Sequence, residues 1–302
     1  MTARRRPAAR AAGGKLAGRP EAVPGLTRRH VVDRVMTMLL GLALVATIGV
    51  LVWVLIYVAA QGLKYLGPAF VTQTPPGDPS QPGGGFVNGI IGSLIMVGIA
   101  ALISVPIGIA AAVAMVEYGG RFAAAAGFLT DVLIGVPTIV IGLFVYAIWV
   151  LRFGFSGLAG AIALAIIMLP LVTRASAEML RLVPMTLHEA SASLGVTRSR
   201  TIFSVVLPTA LPGITTGVML AVARAMGEAA PLLFTALGND LFVQANPTKR
   251  MSGLPLMIFN NAITGFKTAQ ARAWAGALTL IGMVLIFTVA ARLIGRRATV
   301  MN

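Results

Sequence analysis

The chain has 302 residues, of which 57% are hydrophobic and 11% are charged, and its mean hydropathy is +0.89. Soluble domains are typically about one quarter charged, so this balance excludes an ordinary soluble protein and indicates an integral membrane protein. The net charge of +15 does not indicate nucleic-acid binding, because the basic residues lie mainly in tails and between apolar runs. The chain has no cysteine and two distant histidines, so neither a disulfide nor a metal site is predicted.

The first 30 residues are rich in Arg, Ala, Gly and Pro without a periodic apolar pattern, which predicts a disordered basic tail. Residues 31–302 are expected to form one transmembrane domain. A helix that crosses a bilayer needs about 20 apolar residues. Six segments meet or approach this length: 36–58, 88–116, 127–151, 157–173, 206–236 and 275–294. We therefore predict an all-α integral membrane protein with six transmembrane helices, the fourth bent at the Leu169–Pro170 pair.

The distribution of basic residues orients these spans. With the amino terminus in the cytoplasm, most Lys and Arg residues fall in cytoplasmic segments, as the positive-inside rule requires. Both termini are then cytoplasmic. Two long segments lie outside, residues 61–87 with the irregular stretch TPPGDPSQPGGG and residues 237–274.

The loop between the fourth and fifth spans contains MTLHEASASLGVTRSRTIFSVVLPTALPGI, residues 185–214. Thr186 and Glu189 have the spacing of a T-x-x-E capping box, which predicts a short helix over about 186–196 that begins at Thr186. Gly195 is expected to end it in a left-handed conformation. One face of this helix would hold Leu187, Ala190 and Leu194. These features fit either an ordinary structured loop or a docking element for a soluble partner.

The spacing of Glu189, Ala190, Gly195 and the Leu207–Pro208 pair resembles the EAA loop of bacterial ABC-importer permeases, with Ser191 in place of the second alanine. In that family the loop forms a coupling helix that sits in a groove of a separate ATPase subunit. The resemblance implies the type I ABC-importer permease fold in the bacterial cytoplasmic membrane, without catalytic activity in this chain. The implied ATPase contacts are Thr186, Leu187, Glu189, Ala190, Leu194 and Gly195.

No G-x-x-x-x-G-K-[ST] sequence occurs in the chain, so it lacks a P-loop of its own. The resemblance therefore implies that ATP and Mg²⁺ are bound by the partner ATPase and that this chain binds no cofactor. Motifs of intramembrane proteases and hydrolases, such as H-E-x-x-H and G-x-S-x-G, are also absent from the sequence.

Three further segments resemble permeases of phosphate-specific transport (Pst) systems: TDVLIGVPTIVIGLF at 130–144, MLPLVTRASAEMLRLVP at 168–184 and ARAMGEAAPLLFTA at 223–236. The APLLFTA ending resembles the PstA type of subunit rather than the PstC type. The resemblance covers about residues 35–294 and implies import of inorganic phosphate. It also implies a PstC-like second permease, a PstB-like ATPase dimer and a PstS-like extracytoplasmic binding protein.

The sequence is also compatible with two other functions. The same ABC architecture could carry another oxyanion, such as molybdate, sulfate or phosphonate. Alternatively, the chain could be a secondary transporter in which Glu228 titrates and couples anion entry to protons, although the coupling-helix loop has no evident purpose there.

Arg224 and Glu228 are charged residues four positions apart in the run 213–236, which carries no other charge. A charge at the bilayer centre costs about 2.5–3.5 kcal/mol on insertion scales, so such residues usually serve a function. Arginine is suited to oxyanions because its guanidinium stays charged and presents several donors. Two interpretations remain: a substrate-pathway site, or a structural ion pair that joins two helices.

Two other groups of charges also allow alternative interpretations. Arg174 and Glu178 form a second i, i+4 pair at the inner end of the fourth span. They fit either the inner part of the substrate pathway or simple topology control. The last outer segment carries four basic residues, which are either solvated loop charges or contacts for the binding protein: Lys249, Arg250, Lys267 and Arg272.

Overall fold

The computed structural model describes the backbone of residues 26–300 and the side chains of residues 29–290. The predicted disordered tail, residues 1–30, lies mostly outside this range, and residues 26–30 already belong to the first helix. Contacts within the chain divide the described residues into two units, a first that ends at Leu55 and a second that begins at Ile56.

Helices account for most of the described backbone. In chain order they are α1 (Leu26–Gly62), α2 (Pro68–Thr72), α3 (Val87–Val113), α4 (Gly120–Gly135), α5 (Thr138–Val145), α6 (Leu151–Phe153), α7 (Gly157–Arg181), α8 (Met185–Ser193), α9 (Arg198–Thr201), α10 (Leu207–Met226), α11 (Ala230–Thr235), α12 (Leu254–Ala262) and α13 (Lys267–Val300). Short π-helical turns follow α3, follow α5 and precede α10: Ala114–Tyr118, Tyr146–Val150 and Ile202–Val206. The part of the chain that the structure describes is thus all-α, as the sequence predicts.

Among the described residues, five helices are long and apolar enough to cross a membrane, and a bent pair makes a sixth if it counts as one crossing. The bent pair lies where we expected a single span over 127–151. Its two halves, Gly120–Gly135 and Thr138–Phe153, meet at 103°. The break occurs at Pro137, because the residue before a proline is driven out of the helical region; Val136 is extended, with φ −74° and ψ 127°.

The predicted fifth span is also interrupted. Helix α10 ends at Met226, and α11 begins at Ala230 after a short irregular segment. The run 213–236 is therefore not one membrane-crossing helix, and Arg224 lies in the last turn of α10 rather than in a helix interior. The fourth span, in contrast, is longer than predicted, because α7 continues through Pro170 to Arg181.

The core of the second unit lies where α3, α7 and α10 pack on one another. Close approach between α7 and α10 depends on glycine: a Cβ added at Gly217 would lie 2.4 Å from the Cβ of Ala175. Small residues at such positions let membrane helices pack with little space between their backbones. The buried side chains at the centre include Met96, Val97, Leu164, Met168, Ala225 and Met226.

The two predicted outer segments meet at the amino-terminal end of α3. The Asn88 amide donates to the carbonyl of Asn239 at 2.7 Å, and the Leu254 N–H donates to the Ser93 hydroxyl at 2.7 Å. Residues before α3 join the same end, since the Val87 N–H donates to the Gln73 carbonyl. Helix α8 contacts the opposite end of α3, so the loop between the fourth and fifth spans lies at the other end of the bundle.

Arg272 departs from the expectation that the basic residues of the last outer segment are solvated or face a partner. Its residue is 2% exposed. One guanidinium nitrogen donates to the Gln81 carbonyl at 2.6 Å, and the other donates to the Pro79 carbonyl at 2.9 Å. Arg272 therefore fastens the Pro/Gly-rich loop to α13, while Lys249, Arg250 and Lys267 are exposed.

Candidate functional site

Arg224 and Glu228 form an ion pair at the carboxyl end of α10. The Nε atom of Arg224 lies 3.5 Å from Oε1 of Glu228. The arginine side chain is 58% exposed and the glutamate side chain is 18% exposed. The predicted pairing is therefore confirmed, although Glu228 lies beyond the end of the helix, so the two residues do not share one regular helix face.

The end of α10 explains why the pair forms here. The Gly227 N–H donates to the Arg224 carbonyl at 3.0 Å, and the Glu228 N–H donates to the Ala225 carbonyl at 3.2 Å, so the chain turns back on the last helical residues. A cation in the last turn interacts favourably with the free carbonyls of a helix. Gly227 is the C-cap of α10, and a Cβ added there would meet no neighbouring helix.

Arg224 also lines a small cavity of about 30 Å³. The remaining walls come from the bend between α4 and α5 and from the middle of α7: Leu133, Ile134, Val136, Thr138, Ile141, Ile167, Pro170 and Leu171. All three segments that resemble Pst permeases thus meet at this cavity, although they are far apart in sequence. Its volume suits about one water molecule, not an oxyanion.

The bend beside Arg224 is held in place by packing between α5 and α11. A Cβ added at Gly142 would lie 2.7 Å from the Cα of Pro231 and 3.1 Å from its carbonyl oxygen, so only glycine fits this approach. Helix α11 starts at Ala230, two residues after Glu228, and α5 starts at Thr138 beside the cavity. The two interrupted spans are therefore joined next to the ion pair.

Arg174 lies one helical turn beyond Pro170 on α7, at the border of the same region. Its guanidinium contacts Asp131 of α4 at 3.2 Å and Glu178 at 3.2 Å, and Glu178 also contacts Arg181 at 3.2 Å. The predicted Arg174–Glu178 pair is present. The additional partner Asp131 links α4 to α7, and these side chains are about half exposed, a setting in which an ion pair is worth about 0.2–1 kcal/mol.

Helix α8 occupies the predicted coupling segment but begins differently. Its N-cap is Pro184 and its first residue is Met185, so Thr186 lies inside the first turn and makes no capping hydrogen bond. The predicted capping box with Glu189 is therefore wrong. Proline at this place sets an extended conformation, with φ −60° and ψ 137°, that starts the helix without a side-chain cap.

The end of α8 agrees with the prediction for Gly195, whose φ is +72°. The Gly195 N–H donates to the Ala192 carbonyl at 2.9 Å, and the Val196 N–H donates to the Ser191 carbonyl at 3.2 Å. These two bonds form a Schellman motif, which satisfies carbonyl groups that the helix end leaves free.

Helix α8 has an outward and an inward side. Leu187 is partly buried and packs on the cluster that contains Leu180 and Val183, so it does not share a surface with the other two residues of the predicted face. Leu194 is 82% exposed. The exposed residues over 186–196 are available to a partner: Thr186, Glu189, Ala190, Ala192, Ser193, Leu194 and Gly195.

Two polar contacts on the inward side of α8 are not evident from the sequence. His188 Nε2 lies 3.3 Å from Oε1 of Glu117, which is 7% exposed at the end of the second span. The hydroxyls of Ser191 and Thr201 are hydrogen-bonded at 2.7 Å. Glu117 could have been singled out in the sequence, because it is a carboxyl group at the end of an apolar run. Ser191 gave no such signal, because serine in place of the second alanine is a change between two small residues.

Comparison with solved structures identifies the class of the fold. A chain of a bacterial alginate ABC transporter matches with a TM-score of 0.64 and 15% identity, over 91% of this chain and 98% of that one. A chain of the MetNI methionine ABC transporter, in an inward-facing conformation, matches with a TM-score of 0.58 and 19% identity, over 70% and 95%. The fold is therefore that of ABC-importer permeases of type I.

Sequence comparison narrows the class. Residues 104–300 match the family described as "Binding-protein-dependent transport system inner membrane component". The PstA phosphate transport system permease of Haemophilus influenzae is 42% identical over 262 residues, which cover 85% of this chain and 92% of that protein. PstA 1 of Mycobacterium tuberculosis is 39% identical over 286 residues, covering 91% and 92%. The chain belongs to the PstA family of multi-pass membrane permeases.

Proposed function

We propose that this chain is a transmembrane subunit of an ATP-driven ABC importer that moves inorganic phosphate into the cytoplasm. The observation that carries the proposal is the convergence of the three Pst-like segments on the cavity beside Arg224. Relatives about 40% identical are phosphate transport permeases, which favours phosphate over molybdate, sulfate or phosphonate.

Arg224 supplies the positive charge that a phosphate ion needs in a region of low dielectric constant. Glu228 is mostly buried and already contacts the guanidinium, so it balances the arginine when no anion is present. An incoming phosphate competes for the same donors, and arginine can hold it through two parallel hydrogen bonds. The cavity is too small for the anion in this conformation, so entry requires the α4–α5 bend to move away from α10.

Arg174 extends this pathway toward the end of the bundle where α8 lies. Its partners Asp131 and Glu178 are exposed carboxylates, and exposed ion pairs contribute little free energy. A passing anion can therefore replace these carboxylates as the partner of Arg174 at a small cost in free energy. We assign to Arg174 the inner exit of the pathway, on the cytoplasmic side.

The exposed face of α8 is the proposed contact for a separate ATPase subunit, which binds ATP and Mg²⁺. In this arrangement both chain termini are cytoplasmic, and the chain itself catalyses no reaction. A PstC-like permease, a PstB-like ATPase dimer and a PstS-like binding protein complete the importer.

The test is phosphate uptake by the complete complex in proteoliposomes. ATP should drive uptake of radiolabelled phosphate, and unlabelled phosphate should compete better than molybdate, sulfate or phosphonate. The isolated chain should hydrolyse no ATP. Stronger competition by another oxyanion would refute the proposed cargo, and uptake by the isolated chain driven by a pH gradient would refute the ABC mechanism.

A further inference from the structure

Glu117 is a nearly buried carboxyl group at the end of the second span. It lies in the π-helical turn Ala114–Tyr118, which continues α3, and its side chain is 6% exposed. Burying a carboxyl group is costly unless it is hydrogen-bonded. Within the described residues its hydrogen-bond partner is His188 of α8, at 3.3 Å.

His188 connects the short helix α8 to this carboxyl group. Its side chain is 24% exposed and points inward, while the neighbouring Glu189 is exposed. The Nε2 atom faces Glu117, and the buried Nδ1 atom has no hydrogen-bond partner among the described residues. The imidazole thus has one polar contact among the described residues, and this contact connects α8 to the π-helical turn that continues α3.

A second polar contact connects α8 to the beginning of the fifth span. The Ser191 and Thr201 hydroxyls are 2.7 Å apart and buried, and they join α8 to α9. His188 and Ser191 are three residues apart, so they lie on the same side of α8. In addition, the guanidinium of Arg198 lies 5.2 Å from the ring centre of Tyr118, next to Glu117.

The surroundings of the Glu117–His188 contact leave room for displacement. A cavity of about 460 Å³ lies beside it and is bordered by Arg181 and Arg198 as well as by the pair itself. Arg181 and Arg198 are exposed, so this space opens to the surface and α8 can shift there without compressing a packed core. The turn that carries Glu117 is followed by Gly119 and Gly120, whose φ angles of +67° and +80° favour glycine, and α4 begins at Gly120.

We propose that the Glu117–His188 hydrogen bond is a positioning contact that passes displacement of α8 to α3, so that ATPase closure reaches the second span as well as the fifth. The inference rests on the proposed function, because it assumes an ATPase on the outward face of α8. The outward and inward residues of α8 then have separate tasks: the former bind the ATPase, and the latter transmit its movement.

The experiment compares apolar and amide replacements of both residues in the complete complex. His188→Leu and Glu117→Met preserve approximate size but remove the hydrogen bond. His188→Gln and Glu117→Gln retain a donor or an acceptor at nearly the same place. For each complex, phosphate uptake and ATP hydrolysis are measured in the same proteoliposomes, and co-purification of the ATPase is recorded. His30→Leu, at the chain's other histidine, is the matched control.

The apolar variants should lower the phosphate moved per ATP hydrolysed about fivefold or more, as expected when a typical coupling energy is lost. The amide variants and His30→Leu should keep the ratio near that of the wild type. All variants should retain the ATPase, because the outward face of α8 is unchanged. The double variant should be no worse than either single one, since both remove the same contact.

The proposal is overturned if His188→Leu and Glu117→Met keep the wild-type ratio, or if the amide variants lose as much as the apolar ones. These outcomes differ from failure of the proposed function. If the wild-type complex moves another oxyanion instead of phosphate, the cargo is wrong, and the same ratio is measured with that anion. Uptake without ATP by the isolated chain would overturn both proposals.

Discussion

The guanidinium of Arg224 contacts the carboxylate of Glu228 across the point where α10 stops being helical. The pair is asymmetric, because the arginine is mostly exposed and the glutamate mostly buried. An exposed ion pair contributes only about 0.2–1 kcal/mol, so the partly exposed Arg224–Glu228 pair is a weak link between helices. The exposed guanidinium beside the α4–α5 bend therefore fits a side chain that exchanges partners.

Arg224→Gln is expected to lower ATP-driven phosphate uptake about tenfold or more, since a hydrogen bond to a charged group is worth about 1.5–3 kcal/mol. Arg224→Lys should be intermediate, because it keeps the charge and loses the planar set of donors. Uptake in proteoliposomes with the complete complex is the measurement, and Arg34→Gln, at an exposed arginine of α1, is the control. If the Arg224→Gln complex takes up phosphate at the normal rate, the Arg224–Glu228 pair has only a structural role.

Local features of this site were predictable from the sequence, but the breaks in its helices were not. The four-residue spacing of Arg224 and Glu228 predicts contact, and the left-handed Gly195 follows from its place after a short helix. The 103° bend occurs at Pro137, but α7 continues as a helix through Pro170, so a proline inside an apolar run does not by itself predict which span is broken.

Contacts between residues far apart in the chain could not be predicted from the sequence, for a different reason. Glu117 and His188 are 71 residues apart, and their meeting depends on how α3 and α7 pack. The four basic residues of the last outer segment also look alike in sequence. Packing of the Pro/Gly-rich loop against α13 buries Arg272 and leaves Lys267, five positions earlier, exposed.

Gly195→Pro should weaken attachment of the ATPase subunit. Proline fixes φ near −65°, whereas this position has φ +72°, and proline lacks the N–H that donates to the Ala192 carbonyl. The altered helix end would displace Leu194 on the outward face. Co-purification of the ATPase with tagged complex is the measurement. Gly195→Asn should retain most of the binding, since asparagine tolerates left-handed conformations. Undiminished co-purification of the proline variant would count against α8 as the docking element.

Arg272→Leu should release the Pro/Gly-rich loop from α13. The substitution removes the donors to the Pro79 and Gln81 carbonyls, each worth about 1.5–3 kcal/mol because the donor is charged. We expect a lower apparent melting temperature in detergent and faster hydrogen exchange in residues 74–86. Lys267→Leu, at an exposed position, should change neither. If exchange in the loop stays slow in Arg272→Leu, Thr268 alone is sufficient to hold it through its bond to Pro79.

Asp240 should make stability depend on pH. Asp240 is exposed as a residue, but partial desolvation of its carboxyl group by nearby atoms raises its pKa above the ordinary value of 3.8, against a smaller opposing effect of the hydrogen bond from Ser252. The neutral acid is therefore favoured in the folded state, and its stabilising contribution is lost as the pH rises through the raised pKa. Asp240→Asn should accordingly raise the apparent melting temperature at pH 7, and the difference should shrink as the pH falls toward 3.8.

Asp78 provides a control of opposite sign. Hydrogen bonds from the Ser80 N–H and hydroxyl lower the pKa of its carboxyl group, so its contribution is present at neutral pH and is lost as the pH falls through the lowered pKa. Asp78 is fully exposed, so Asp78→Asn should have at most a slight destabilising effect at pH 7. Melting curves of both variants between pH 3 and pH 8 distinguish the stabilising effect expected for Asp240→Asn from the slight destabilising effect expected for Asp78→Asn. A lower melting temperature of Asp240→Asn than of the wild type at pH 7 would contradict the assignment of a desolvated carboxyl group.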